Sequence, residues 1–166
     1  VVVVSAMQGE TNRLTELAKS IDADANGREL DSLLSTGEQV TIALLSLAIS
    51  ELGYKAISLT GAQAGIITSD IFNKARIKYI NSEKIKKLLR NDTIVVIAGF
   101  QGITEQGDIT TLGRGGSDTS AVALSVALNA DECQIYSDVD GVYTTDPKVT
   151  KGAKKINKIT NEEMLE

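Results

Sequence analysis

The sequence contains no histidine and no tryptophan, one cysteine (Cys133) and one proline (Pro147). The missing histidine excludes His-based proton shuttles, Ser-His-Asp hydrolysis and His-ligated metals. A single cysteine excludes a disulfide framework and a Cys-cluster zinc site, and fits a reducing, cytoplasmic compartment. No uninterrupted apolar run approaches the roughly 18 residues of a membrane span. The four valines that open the chain lack a charged flank and do not read as a signal peptide. A net charge of −5 argues against nucleic-acid and membrane partners.

What is present is a chain of 166 residues, 42% apolar and 23% charged, long enough for one α/β domain with a real core. Its charge is uneven. Residues 74–90 carry seven bases against the single acid Glu83, a run that reads first as a solvated helix face. Residues 92–146 carry nine acids against one base, Arg114, which sits in the most glycine-rich stretch of the chain.

Apolar periodicity sets out the elements. Residues 1–5 read as a strand buried on both faces, followed by a helix through Leu14, Leu17 and Ile21. Residues 30–52 read as helix, interrupted near Thr36-Gly37 and closed by Gly53. Residues 56–60 and 93–98 read as buried strands, 77–80 as a short one and 133–137 as a further one. Ser82 is placed to cap a Lys-rich helix reaching Arg90. Residues 119–128 are apolar almost all round and predict a fully buried helix, and residues 161–166 begin another. Strand–helix alternation predicts an α/β fold, a three-layer αβα sandwich with a mostly parallel central sheet. Ligands of such sheets bind beyond the carboxyl ends of the strands, here after Val4, Thr60, Ala98 and Tyr136.

Two of those loops carry candidate chemistry. Thr110-Thr111-Leu112-Gly113-Arg114-Gly115-Gly116-Ser117-Asp118 runs into the buried helix. Glycines around one arginine at a helix N-terminus form an anion site from free N–H groups, the helix dipole and a guanidinium. Ser117 or Asp118 could equally serve as the helix cap. The loop is neither a Walker-type phosphate loop nor a complete Gly-x-Gly-x-x-Gly. The stretch from Tyr136 to Pro147 is dense in carboxylates and hydroxyls. Turns account for Asp140 and Asp146 as well as function does, whereas Asp138, directly off the strand, is the better functional candidate. An anion site next to acidic residues suits a phosphate bound with a divalent cation. Thr11 reads either as a helix cap or as a residue of a binding loop. Glu38, beside Gly37 in an apolar stretch, reads either as an exposed acid or as a partner for a ligand amine. Without histidine, an acceptor that is already ionised, such as a carboxylate, would need no base.

These motifs closely resemble the catalytic domain of the aspartokinase family, in the amino-acid kinase superfamily. The matching stretches are residues 1–12, 36–41 (Thr-Gly-Glu-Gln-Val-Thr), 60–65 (Thr-Gly-Ala-Gln-Ala-Gly), 98–102, 110–119 and 136–147. The resemblance implies ATP-dependent phosphorylation of the L-aspartate side-chain carboxylate, with Mg2+, giving 4-phospho-L-aspartate on the route to lysine, threonine and methionine. It implies that Arg114 holds the substrate α-carboxylate and Glu38 its amino group, with Thr11, Phe100 and Ser117 lining the pocket. Asp118 would organise the transferring end, making Arg114 and Asp118 the catalytic pair. Ser137, Asp138, Tyr143 and Lys148 would contact the nucleotide. Ser137 and Lys148 replace the family's commoner Thr and Arg, and Lys lacks the bidentate geometry of Arg.

By the same resemblance, a Lys-Phe-Gly-Gly-Thr segment is expected before Val1. A Gly-Ala-Lys-Val-Leu-His-Pro segment and ACT regulatory domains are expected after Glu166. Residues 1–166 thus read as one catalytic domain incomplete at both ends, with negligible turnover alone and a homo-oligomer expected of the full-length enzyme. The alternatives are another amino-acid kinase (for glutamate, acetylglutamate, carbamate or UMP) and a non-catalytic nucleotide-binding or structural module.

Overall fold

The computed structural model describes residues 1–137, 141–145 and 149–160. It divides into two compact units, Val1–Cys133 and Gln134–Glu166, each described by itself.

The centre of the first unit is β5 (Ile94–Ala98), the Ile-Val-Val-Ile-Ala run. It lies between β1 (Val2–Val4) and β2 (Ala56–Leu59), with both pairings parallel. Strand side chains alternate in direction, and β5 uses both faces. Val95 and Ile97 join one core cluster with Ile85 of α4 (Glu83–Leu89) and Leu124 of α5 (Gly116–Leu128). Val96 and Ala98 join another with Ile42, Leu45 and Ile49 of α3 (Thr36–Glu51). Helices therefore cover both faces of a parallel sheet, the α/β arrangement expected from the alternation of elements.

Three helices precede β2: α1 (Glu10–Lys19), α2 (Arg28–Leu34) and α3. The break expected near Thr36-Gly37 falls at Ser35, between α2 and α3. At the far end of α3, Gly53 (φ 87°) donates to the Ser50 carbonyl and Tyr54 to that of Ile49, a Schellman closure that needs the left-handed glycine. By length and composition alone, Arg28–Glu51 could cross a membrane, with a mean hydropathy of 1.4. The stretch nevertheless packs on β2 and β5 and buries Asp31, Ser35 and Glu38, so it is a core helix pair of this unit.

Sequence periodicity did not reveal a second sheet, ordered β4-β3-β6-β7. Its strands β3 (Ile66–Thr68), β6 (Gln101–Ile103) and β7 (Ile109–Thr111) are three residues each, too short to establish a period of two. β4 (Ile77–Ile80) falls where it is expected.

Several expectations are corrected. Among the described residues β1 stands at the end of its sheet, and with Val2 38% exposed and Val3 and Val4 half-buried it is not buried on both faces. α5 is buried only along Gly116, Ser120 and Leu124, while Val122 and Val126 are exposed, because only one stripe of a helix can face one core. Ser82 stands at the N-cap of α4, but its hydroxyl donates to the Ala127 carbonyl and ties α4 to α5 instead. Residues 133–137 form no strand. They are exposed, and no described strand offers them the ladder that an extended segment requires.

In the second unit, β8 (Val142–Tyr143) and β9 (Lys155–Ile156) pair antiparallel. The helix expected over 161–166 lies outside the described residues.

Candidate active site

Five stretches far apart in sequence converge on one cleft of about 610 Å3 in the first unit. They supply Ser5 to Thr15, Leu30 to Glu38, Asn73, Phe100, and Thr111 to Asp118. Two are the loops beyond the carboxyl ends of β1 and β5, as the sheet rule requires. The turn after β2 does not line the cleft; Gly61 packs instead against the Gln101 backbone, where a Cβ would stand 2.2 Å from the carbonyl oxygen.

The first wall is the Ala6 loop with the start of α3. A Cβ on Gly37 would lie 2.9 Å from the Ala6 Cβ, so only glycine lets the helix come this close. That approach allows the Ala6 N–H to donate to Glu38 Oε1 at 2.9 Å. Glu38 is 2% exposed, and its Oε2 is buried with no hydrogen-bond partner. Burial raises its pKa above the ordinary carboxylate value, opposed by the hydrogen bond from Ala6. Of the two readings of Glu38, the exposed acid is excluded. The observed group is a desolvated carboxylate with one oxygen free for a donor in the cleft.

The opposite wall is the glycine-arginine turn. Gly113 (φ 82°) and Gly115 (φ 71°) are left-handed, and Gly115 is the N-cap of α5. No side chain caps the helix, so Ser117 and Asp118 lie inside its first turn and line the cleft. Thr11 likewise is not a cap; α1 starts after Gly9, and Thr11 faces the cleft from the first turn. Arg114 is exposed; among the described residues it is the only base lining the cleft and makes no ion pair.

Phe100 joins the walls. Its φ of 67° is unusual for an aromatic residue, and both of its backbone groups are engaged. Its N–H donates to Ser120 Oγ at 3.1 Å, and its carbonyl accepts from Leu112 N–H at 2.9 Å. A Cβ on Gly99 would lie 2.9 Å from Ser117 Cα, and one on Gly116 would lie 2.8 Å from Phe100 Cδ2. The exit of β5 and the N-terminus of α5 thus interlock through two glycines.

The structure brings together Thr11, Glu38, Phe100, Arg114, Ser117 and Asp118. Ser137 and Tyr143 belong to the second unit, Ser137 exposed and outside any regular element, Tyr143 half-buried in β8. Asp138 and Lys148 lie outside the described residues. Sequence reasoning placed Thr111 in the candidate loop without a role of its own, and missed Asn73 in the cleft wall and the buried Asp31 behind both. The left-handed Asn73 (φ 63°) could have been suspected from Asn alone, but nothing local marks Asp31. Among the described residues, no group of three or more Asp, Glu or Cys side chains converges, so these residues offer no protein cage for a metal ion.

Among the described residues, this cleft pairs one buried carboxylate that lacks a donor on one oxygen with one guanidinium that has no ion pair, beside a helix N-terminus. It suits a small zwitterion that also carries a further anionic group. Comparison with known proteins gives the family. An aspartate kinase of Pseudomonas fluorescens is 61% identical over 168 residues, covering 100% of this chain and 41% of the relative. The crystal structure of an aspartate kinase from Synechocystis matches with a TM-score of 0.81 and 53% identity, over 99% of this chain and 27% of that one. Escherichia coli aspartokinase III, in complex with aspartate and ADP, matches with a TM-score of 0.74 and 34% identity, over 87% of this chain and 33% of that one. The chain therefore spans about two fifths of the length of the curated relatives it matches. The family model described as "Amino acid kinase family" matches residues 1–166, and the chain belongs to that family.

Proposed function

We propose that these residues are part of an aspartate kinase, which transfers the γ-phosphoryl group of ATP to the side-chain carboxylate of L-aspartate. The observation that carries the reading is the orphaned Glu38 Oε2 in the same cleft as the unpaired Arg114. An α-ammonium group supplies the missing donor at Glu38, and an α-carboxylate pairs with the guanidinium of Arg114. The amino acid is then held by its backbone end, leaving its side-chain carboxylate as the nucleophile. That group is ionised at neutral pH, so attack on the γ-phosphorus needs no base, which suits a chain without histidine. The N-terminus of α5, with Ser117 and Asp118 in its first turn, lines the cleft where charge develops. Acetylglutamate, carbamate and UMP carry no free ammonium group and would leave Glu38 unsatisfied. Glutamate carries one too, and aspartate is preferred to it on the Thr-Gly-Glu-Gln and Gly-Arg-Gly-Gly-Ser-Asp motifs.

ATP enters this proposal through Ser137, Asp138, Tyr143 and Lys148, on the resemblance to the family and the similarity to a relative solved with ADP. Magnesium would enter with the nucleotide and would neutralise phosphate charge there. The proposal includes a cytoplasmic setting, a homo-oligomer of the full-length protein, and residues 1–166 as one catalytic domain within it.

The test is aspartate-dependent ADP formation by the full-length protein. Glu38→Gln keeps the acceptor for Ala6 N–H but loses the charge. It should raise the KM for aspartate roughly 10- to 100-fold, the worth of a charge-assisted hydrogen bond, with little change in the KM for ATP. Arg114→Ala should act in the same direction. Equal turnover of glutamate and aspartate, or an unchanged aspartate KM in both variants, would refute the reading.

A further inference from the structure

Asp31 has no part in the chemistry proposed above and does not line the cleft, yet its side chain is completely buried. Among the described residues no cation pairs with it; four donors do. Oδ2 accepts from the backbone N–H groups of Asn73 and Thr111, both at 2.9 Å. Oδ1 accepts from Asn73 Nδ2 at 2.5 Å and from the Thr111 hydroxyl at 2.6 Å. Each oxygen thus holds one group from each residue, and both residues are cleft wall. They come from separate places, Asn73 from the turn between β3 and β4 and Thr111 from the end of β7, and the Ala75 N–H donates across to the Thr111 carbonyl at 2.9 Å. Asn73 in turn accepts from the Gly27 N–H at the head of α2 through Oδ1. Gly113 stands so near the Asn73 backbone that a Cβ there would lie 3.3 Å from its carbonyl oxygen. The chain of contact therefore runs from Asp31 through Asn73 and Thr111 to the turn that carries Arg114.

We infer that Asp31 is a positioning residue of this cleft, a buried carboxylate that fixes Asn73 and Thr111 and through them sets where the Arg114 turn stands. Only a carboxylate offers four acceptor sites in a plane at this point. An amide turns one oxygen into a donor facing donors, and an apolar residue leaves two backbone N–H groups buried without partners. The functional part of the inference rests on the proposed aspartate reading; the positioning part does not.

The experiment compares wild type and Asp31→Asn as full-length proteins, by amide hydrogen exchange and by steady-state kinetics. Exchange should quicken at residue 73 and residues 111–116 and stay unchanged in β5. The aspartate KM should rise about tenfold or more, with kcat at saturating aspartate and the KM for ATP nearly unchanged. Thr111→Val, which removes one of the four bonds and keeps the backbone N–H, should give the same pattern at smaller size and covers the case in which Asp31→Asn fails to fold. Unchanged exchange at 111–116 in whichever variant folds would overturn the positioning role. Faster exchange with an unchanged aspartate KM, or with kcat and both KM values degraded together, would overturn its link to substrate binding. A wild type without aspartate-dependent ADP formation would bring down the proposed function instead, while the exchange data would still decide whether Asp31 positions the turn.

Discussion

The two sides of the cleft each hold a buried carboxylate, and the two are satisfied to very different degrees. On the α2 side, Asp31 accepts four hydrogen bonds. On the α3 side, seven residues on, Glu38 accepts one from Ala6, and its second oxygen has no partner. Burial is nearly the same, at 0% and 2% exposed. The difference separates structure from function. A carboxylate whose acceptors are all used holds the protein together, and one left with a free lone pair in a cleft is held ready for something else.

Substitutions should pull the two sides apart. The largest effect is expected on the side of Asp31. Asp31→Ala strands buried N–H groups of two segments and should cost about 3–5 kcal/mol of stability, read from urea denaturation. Glu38→Gln in the same assay should be neutral or stabilising, because it removes a desolvated charge and keeps the Ala6 bond. A Glu38→Gln variant as unstable as Asp31→Ala would erase the distinction.

A smaller effect should come from Gly37→Ala. The added methyl meets the Ala6 Cβ, which has no flexible end to move aside. About 1–3 kcal/mol of overpacking is expected, with weakened aspartate binding because the Ala6–Glu38 contact opens. Calorimetry of unfolding and of aspartate binding would check both.

The smallest effect is a pH dependence. Burial raises the folded-state pKa of Glu38 above its unfolded value. Its stability contribution is therefore most favourable below the unfolded value, about 4.5, and falls as pH rises through the raised folded one. Other carboxylates titrate nearby, so the quantity to measure is the difference between wild type and Glu38→Gln without aspartate. Wild type should lose ground to the variant as pH rises through that window. A difference that is flat, or of opposite sign, would contradict a desolvated Glu38. Aspartate binding should run the other way, weakening as pH falls and Glu38 takes up its proton.

The same contrast explains what could be read from the sequence. β5 was legible because five consecutive apolar residues between turn signals fit only a buried strand, and the turn around Arg114 because glycine and arginine together suit anions. Glu38 was half legible, since an acid beside Gly37 in an apolar stretch reads equally as exposed or as facing a ligand amine. Asp31 was illegible. In Arg-Glu-Leu-Asp it looks like one more acid on a helix face, and its partners lie 42 and 80 residues away. The second sheet escaped for a related reason: its three-residue strands have no period of their own and exist by pairing. Residues 133–137 mark the opposite error, a strand-like composition that joins no sheet among the described residues.

The span of 80 residues between Asp31 and Thr111 also bears on how the molecule forms. Helix α2 consists of local contacts and can form within microseconds, whereas its carboxylate finds its partners only when β7 has been placed. During synthesis the four bonds to Asp31 can be complete only after Thr111 has left the ribosome, since Asn73 supplies two of them and Thr111 the other two. Completing that one buried point should therefore come late in folding, and refolding kinetics of Asp31→Asn against wild type would check it.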